Sequence, residues 1–188
     1  GDNSDNSVSG GGGSDVMVGD GGGRFTVVNP AQNYNISLIL DSSGSMGEDS
    51  GTEGLTRMEL AKRALKNLVE QLADFEGTVN VQIIDFDEGA SAVEALDLGS
   101  SSEDLEDIIE HIDEALASGG TNYEAAFTES EGWLKALSEN NGYENLTFFL
   151  TDGQPTFYVT DTGDVGGTGR SFGVDEFVNS IDAFGELS

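Results

Sequence analysis

The sequence predicts an α/β protein: a doubly wound, mostly parallel sheet with helices on both faces. Three observations carry that prediction. Short apolar runs at 36–40 and 146–150 read as strands buried on both faces, the pattern of parallel sheets covered by helices. Longer segments with apolar residues at helical spacing separate them. Oxygen-rich loops follow the apolar runs, and α/β sheets place their sites at the carboxyl ends of strands.

Residues 1–32 stand apart from that pattern. They are rich in glycine, serine and aspartate and read as a linker. Within them Gly10, Gly11, Gly13, Asp15 and Met17 fit the G-G-x-G-x-D-x-U-x repeat of calcium-binding β-rolls, which makes Asp15 a candidate calcium ligand. The next register carries Arg24 where an aspartate is needed, and a single unit cannot complete a roll, so a plain linker accounts for the composition equally well.

The folded domain is expected over 33–188. Ile36, Leu38, Ile39 and Leu40 form its first strand, which runs into Asp41, Ser43 and Ser45 at i, i+2 and i+4, with Gly44 permitting a turn. Met58, Ala61, Leu65, Leu68, Val69 and Leu72 then mark an amphipathic helix. Val79, Val81, Ile83 and Ile84 make a second strand, and 91–98 a weaker one suited to a sheet edge. Ser101 or Ser102 can cap the acidic helix 103–116. A glycine-bearing loop, 118–121, leads into another helix. Residues 145–150 form a buried strand ending in Asp152, Gly153 and Pro155, and 174–187 is a last helix.

Charge and composition narrow the function classes. Thirty-six acidic against seven basic residues give a formal charge of −29, which repels nucleic acid and anionic membranes and gathers cations. The chain has no cysteine, which removes disulfides, zinc-thiolate sites and a catalytic thiol. No apolar run approaches the roughly 20 residues of a membrane-spanning helix.

Three loops, DSSGS, GGTN and TDGQP, fall on one predicted sheet edge and offer hard oxygen ligands: Asp41, Ser43, Ser45, Thr121 and Asp152. With water, five such groups suit a divalent cation, and two carboxylates leave it short of neutrality, so it should attract one further anionic oxygen. Each loop also has a simpler reading: DSSGS as a capping turn, Thr121 as a helix N-cap, and Asp152-Gly153 as turn chemistry. Their occurrence in order, each beside the appropriate element, favours the metal.

Those residues resemble the metal-ion-dependent adhesion site of von Willebrand factor type A domains, in matching order, over residues 35 to about 188. The resemblance implies a doubly wound α/β fold and a Mg²⁺, Ca²⁺ or Mn²⁺ ion above the first strand. It implies direct ligation by the hydroxyls, aspartates acting in part through water, and a partner protein whose acidic side chain completes the metal shell. With the glycine-aspartate tail, the chain is similar to the type A domains of large secreted bacterial RTX adhesins. That implies an extracellular, type I secreted module of a longer multidomain chain, and not an enzyme. Such domains continue past the last helix with another strand and helix, so a sheet shortened at its C-terminal end is expected. Alternatives are an intracellular module partnering an AAA+ ATPase, as in magnesium chelatase, a purely structural metal, and a magnesium-dependent phosphotransfer enzyme. Against the last, no lysine or arginine is expected near the three loops.

Other residues have plainer expectations. His111 reads as exposed on its helix, and Trp133, Phe148 and Phe149 as core. The acceptor sequences at Asn35 and Asn145 for N-glycosylation fall in strands expected to be buried. Residues 156–172 read as a long loop leaving the metal edge, either a partner-selecting lip or a surface excursion.

Overall fold

The computed structural model describes residues 32–187, so the expected linker, its repeat and Asp15 lie outside the described residues. Strand β1 (Tyr34–Asp41) is central: it pairs in parallel with β2 (Val79–Phe86) on one side and with β4 (Glu144–Leu150) on the other. Strand β3 (Ala90–Ala95) closes one edge antiparallel to β2, giving the order β3-β2-β1-β4. The sheet is therefore mostly parallel, as the apolar runs predict.

The two-residue periodicity of β1 divides the core. Ile36, Leu38 and Leu40 face helices α1 (Arg57–Ala73) and α2 (Ser102–Glu114), packing against Leu65, Val69, Ile108 and Ile112. Ile39 faces the other way, with Ile84 and Phe86, onto Ala126 and Phe127 of α3 (Tyr123–Asn141); Ala183 and Leu187 of α4 (Val174–Leu187) join this second cluster. Leu38 and Ile39 are completely buried, and each such side chain contributes about 1.5–3 kcal/mol of transfer free energy.

The helix starts follow capping chemistry. Thr56 and Glu59 form a reciprocal capping box at α1, with Glu59 N donating to Thr56 Oγ1 at 3.1 Å and Thr56 N to the Glu59 carboxylate at 2.7 Å. Of the two candidate serines before α2, Ser101 is the cap, accepting from Asp104 N at 3.2 Å. Helix α3 is capped by Asn122, which accepts from Ala125 N at 3.2 Å, so Thr121 is not its N-cap.

Several expectations change once the strands are ordered. Strand β4 lies at an edge, so Phe148 is 44% exposed and not core, while Phe149 packs in the second cluster and Trp133 is buried. The same edge position leaves Asn145 exposed; Asn35, in the middle strand, is fully buried. The second face of the sheet is also less apolar than a run of isoleucines and leucines implies. Asn80 donates to Asn35 and Asn35 to Asn145, each at 2.8 Å, and Ser130 of α3 donates to Ser37 at 2.8 Å. These bonds satisfy polar groups that are costly to bury unpaired.

His111 is not exposed. Its Nε2 lies 2.8 Å from Asp85 Oδ1 of β2, with 14% of its side chain accessible. This short contact sets the imidazole beside a carboxylate able to accept from Nε2. Residues 156–172, expected as a loop, contain a small hairpin: β5 (Phe157–Val159) pairs antiparallel with β6 (Val165–Gly167).

Candidate metal-binding site

The site forms where β1 and β4 diverge in chain connection, a topological switch point at the carboxyl ends of parallel strands. Asp41 ends β1 and is fully buried. Its Oδ1 accepts from Ser43 N at 2.8 Å, an Asx turn that throws the chain into a short 3₁₀ segment, Gly44–Gly47. Ser43 Oγ and Ser45 Oγ thereby come within 3.2 Å of each other.

Backbone bonds dock the second loop onto this turn: Ser118 N donates to Ser42 O at 2.8 Å, and Gly44 N to Gly119 O at 3.2 Å. Gly119 has φ +69°, which favours glycine, and a side chain there would press on Asp87. Gly120 lies flat against Phe157 of the hairpin, whose ring is 2.1 Å from where a Cβ would stand. Thr121, 5% exposed, is fixed through its backbone: its N–H donates to Thr156 Oγ1 at 3.0 Å, and its carbonyl accepts from the N–H groups of Thr156 and Phe157 at 2.8 and 3.0 Å.

The third loop follows β4. Thr151 Oγ1 donates to Asp41 Oδ2 at 2.6 Å, and Ser45 Oγ donates to Asp152 Oδ1 at 2.7 Å. Tyr123 OH bridges Thr151 Oγ1, at 3.0 Å, and Gly153 O, at 2.5 Å. Burial raises the Tyr123 pKa, its bond to Thr151 opposes that, and the Asp41 and Asp152 carboxylates raise it further, so the phenol stays protonated and able to donate. Arg57, the first residue of α1, donates from Nη1 to Asp152 Oδ2 at 2.5 Å and reaches Glu48 with Nη2 at 3.3 Å. The Asp152 hydrogen bond raises the guanidinium pKa above its ordinary value despite some desolvation.

Three of the five expected ligands, Ser43, Ser45 and Thr121, thus line one cleft of about 430 Å³; Asp152 joins them through its bond to Ser45, and Asp41 sits behind, holding Ser43 and Thr151. The donor set fits a small hard cation. Adjacent ligands of an octahedral Mg²⁺ stand about 2.9 Å apart, close to the Ser43–Ser45 and Ser45–Asp152 separations of 3.2 and 2.7 Å. Among the described residues no three histidine, cysteine, aspartate or glutamate side chains converge, so hydroxyls must supply much of any coordination here.

Four participants escape a reading of the sequence. Thr151 and Tyr123 act through contacts to Asp41 and the Gly153 carbonyl. Arg57 binds Asp152 across 95 positions of sequence. Arg170, beyond the hairpin, lines the cleft. The expectation that no arginine or lysine lies near the loops is therefore incorrect, because α1 begins, and the hairpin folds back, beside them.

Such an architecture defines a doubly wound α/β domain whose binding edge is built from hydroxyl and carboxylate loops. The chain belongs to the von Willebrand factor type A domain family, whose model matches residues 36–154. Among solved structures it is similar to the pilus adhesin SpaC of Lactobacillus rhamnosus GG, at 24% identity and a TM-score of 0.58, over 78% of this chain and 19% of that one. It is also similar to the PilB minor pilin of Streptococcus sanguinis, at 21% identity and TM-score 0.59, over 73% and 34%. A von Willebrand factor type A protein from Catenulispora acidiphila matches at 18% identity and TM-score 0.55, over 81% and 30%. The chain thus spans well under half of each of these proteins. No curated protein sequence matches it significantly.

Proposed function

We propose that this domain is a divalent-cation-dependent, adhesion-type protein-binding module. Asp41, Ser43, Ser45, Thr121 and Asp152 would hold Mg²⁺, Ca²⁺ or Mn²⁺, and an acidic side chain of a partner protein would complete the shell. The observation that carries the reading is the convergence of the Ser43 and Ser45 hydroxyls and the Asp152 carboxylate in one hydrogen-bonded chain, with Asp41 orienting Ser43 from behind. Bound there, the ion would supply a Lewis-acid centre for a carboxylate oxygen. The chain's own part is to hold the hydroxyls in place: Asp41 fixes the Ser43 backbone, Thr151 closes the second Asp41 oxygen, and the Thr156 and Phe157 amides fix Thr121.

Arg57 is engaged with Asp152 and Glu48, so of the two arginines near the site only Arg170, which lines the cleft, keeps a donor fork free for an anionic group of a ligand. A surface location in a longer bacterial adhesin is favoured by the acidity of the chain, the RTX-like unit around Asp15 and the similarity to a pilus adhesin and a pilin. One contact of this kind is weak, and repetition along a long chain would add avidity.

Calorimetric titration with Mg²⁺, Ca²⁺ and Mn²⁺, paired with thermal melts in chelator, tests the cation. Saturation at one site with a raised melting temperature is expected, since an ion at 100 times its dissociation constant stabilises by about 2.7 kcal/mol. Stoichiometric binding without a chelator-sensitive interaction with any acidic peptide would leave a structural metal instead.

A further inference from the structure

An acidic partner faces a difficulty: a chain of formal charge −29 repels it. The hairpin side of the cleft meets that difficulty. Among the described residues Arg57, Lys66 and Lys135 are paired with carboxylates and Lys62 donates to the Asp113 carbonyl, whereas Arg63 on helix α1 and Arg170 make no ion pair, and of these two only Arg170 lines the cleft. It is exposed and lines the same cleft as Ser43 and Ser45, as does Phe172, 44% exposed.

The segment that carries Arg170 is held by its backbone. Gly169 N donates to Thr156 O at 3.2 Å, and the Thr168 hydroxyl accepts from Arg170 N and Ser171 N at 3.3 Å each. Thr156 is the residue whose hydroxyl and amide fix Thr121. One residue therefore ties the Arg170 wall to the candidate metal ligands. Gly169, at φ +67°, packs on the Phe157 ring that also covers Gly120, so the two walls share a support.

Resting on the metal-dependent reading above, we propose that the cleft is a two-point receptor for a peptide bearing two anionic groups. One carboxylate binds at the Ser43, Ser45 and Thr121 end; the second pairs with the Arg170 guanidinium, and Phe172 offers an apolar wall to the segment between. Arg170 is the residue that selects doubly acidic sequences over singly acidic ones. Its unpaired charge is the only attraction from the hairpin side that opposes the field of the whole chain.

The test uses the full chain in saturating Mg²⁺ and two capped peptide series. In each an aspartate is followed, after one to three glycines, by a second aspartate or by asparagine. Binding is read from amide shifts and from the Arg170 side-chain N–H resonance. One aspartate spacing is expected to bind roughly fivefold tighter than its asparagine twin and to move the Arg170 signal, the range of a single exposed charge pair. R170Q is expected to bring the twins together, and R170E to make asparagine the better ligand. Equal binding of the twins, or a preference that survives R170Q, overturns the Arg170 assignment while leaving the metal reading intact. If neither series binds although Mg²⁺ does, the metal-carboxylate reading fails and this inference fails with it.

Discussion

Arg57 and Asp152 form the closest ion pair at the candidate site, 2.5 Å between Nη1 and Oδ2, while the other Asp152 oxygen accepts the Ser45 hydroxyl at 2.7 Å. The carboxylate is thus shared between a fixed internal cation and the place proposed for a metal. Arg57 lowers the negative charge that the site presents to a dication and raises what remains to attract an anion.

Replacing Arg57 by glutamine removes a positive charge one carboxylate away from the ion. Even at the dielectric of water, repulsion of a dication across such a distance is on the order of 1 kcal/mol. R57Q should therefore bind Mg²⁺ about tenfold more tightly by calorimetry and bind acidic peptides less well at saturating Mg²⁺. Weaker Mg²⁺ binding would mean that Arg57 matters more for holding Asp152 in position than for its charge.

Asp41 allows a cleaner substitution than alanine. In D41N the amide oxygen can still accept from Ser43 N, and its NH₂ can donate to Thr151 Oγ1, whose hydroxyl need only turn from donor to acceptor. Charge is lost while geometry is kept. Far-UV circular dichroism should stay unchanged, stability should move by about 1 kcal/mol or less, and Mg²⁺ affinity should fall at least about tenfold. Mg²⁺ binding equal to wild type would remove Asp41 from the metal site.

What could be read from the sequence was whatever is encoded locally. The strand β1 is legible from Ile36, Leu38, Ile39 and Leu40, and α1 from its 3.6-residue period, because burial of one face imposes each pattern. Asp41, Ser43 and Ser45 share a short turn, so their convergence can be anticipated. Arg57 and Arg170 could not be anticipated in this way: their places depend on how α1 and the hairpin dock, and no residue near them in sequence reports it. Strands β5 and β6 have three residues each, amid threonine and glycine, too short for a period to show. Phe148 and Asn145 misled for a related reason, since a strand's composition does not reveal which strand lies at the edge.

His111 gives the fold a pH dependence. Hydrogen bonding to the Asp85 carboxylate raises the imidazole pKa above 6.5, against the lowering effect of burial, and the Asp85 charge, the Ser91 backbone and Glu114 add to the rise. A raised folded-state pKa means that the folded chain holds the proton more tightly than the unfolded one. The stabilisation is fully present below about pH 6.5 and is lost as pH rises through the folded-state value. Denaturant midpoints at fixed salt should therefore decline from pH 6 to about pH 8 in the wild type and decline less in H111Q. Parallel curves for the two proteins would place the dependence elsewhere.

Gly120 offers a test of whether the hairpin and the site are one unit. A Cβ at this position would lie 2.1 Å from the Phe157 ring and 3.0 Å from Thr156 Oγ1, and Thr156 is the residue that fixes Thr121. G120A must displace β5 or the GGT loop, and overpacking of this kind costs about 1–3 kcal/mol. The displaced Phe157 also supports Gly169, so the disturbance should reach Arg170 as well as Thr121. Lower stability in chemical denaturation should accompany weaker Mg²⁺ binding, and the second substitution F157A, which removes the clashing ring, should restore part of the Mg²⁺ affinity. A G120A variant that is destabilised yet binds Mg²⁺ as wild type does would show that the hairpin supports the fold without shaping the metal edge.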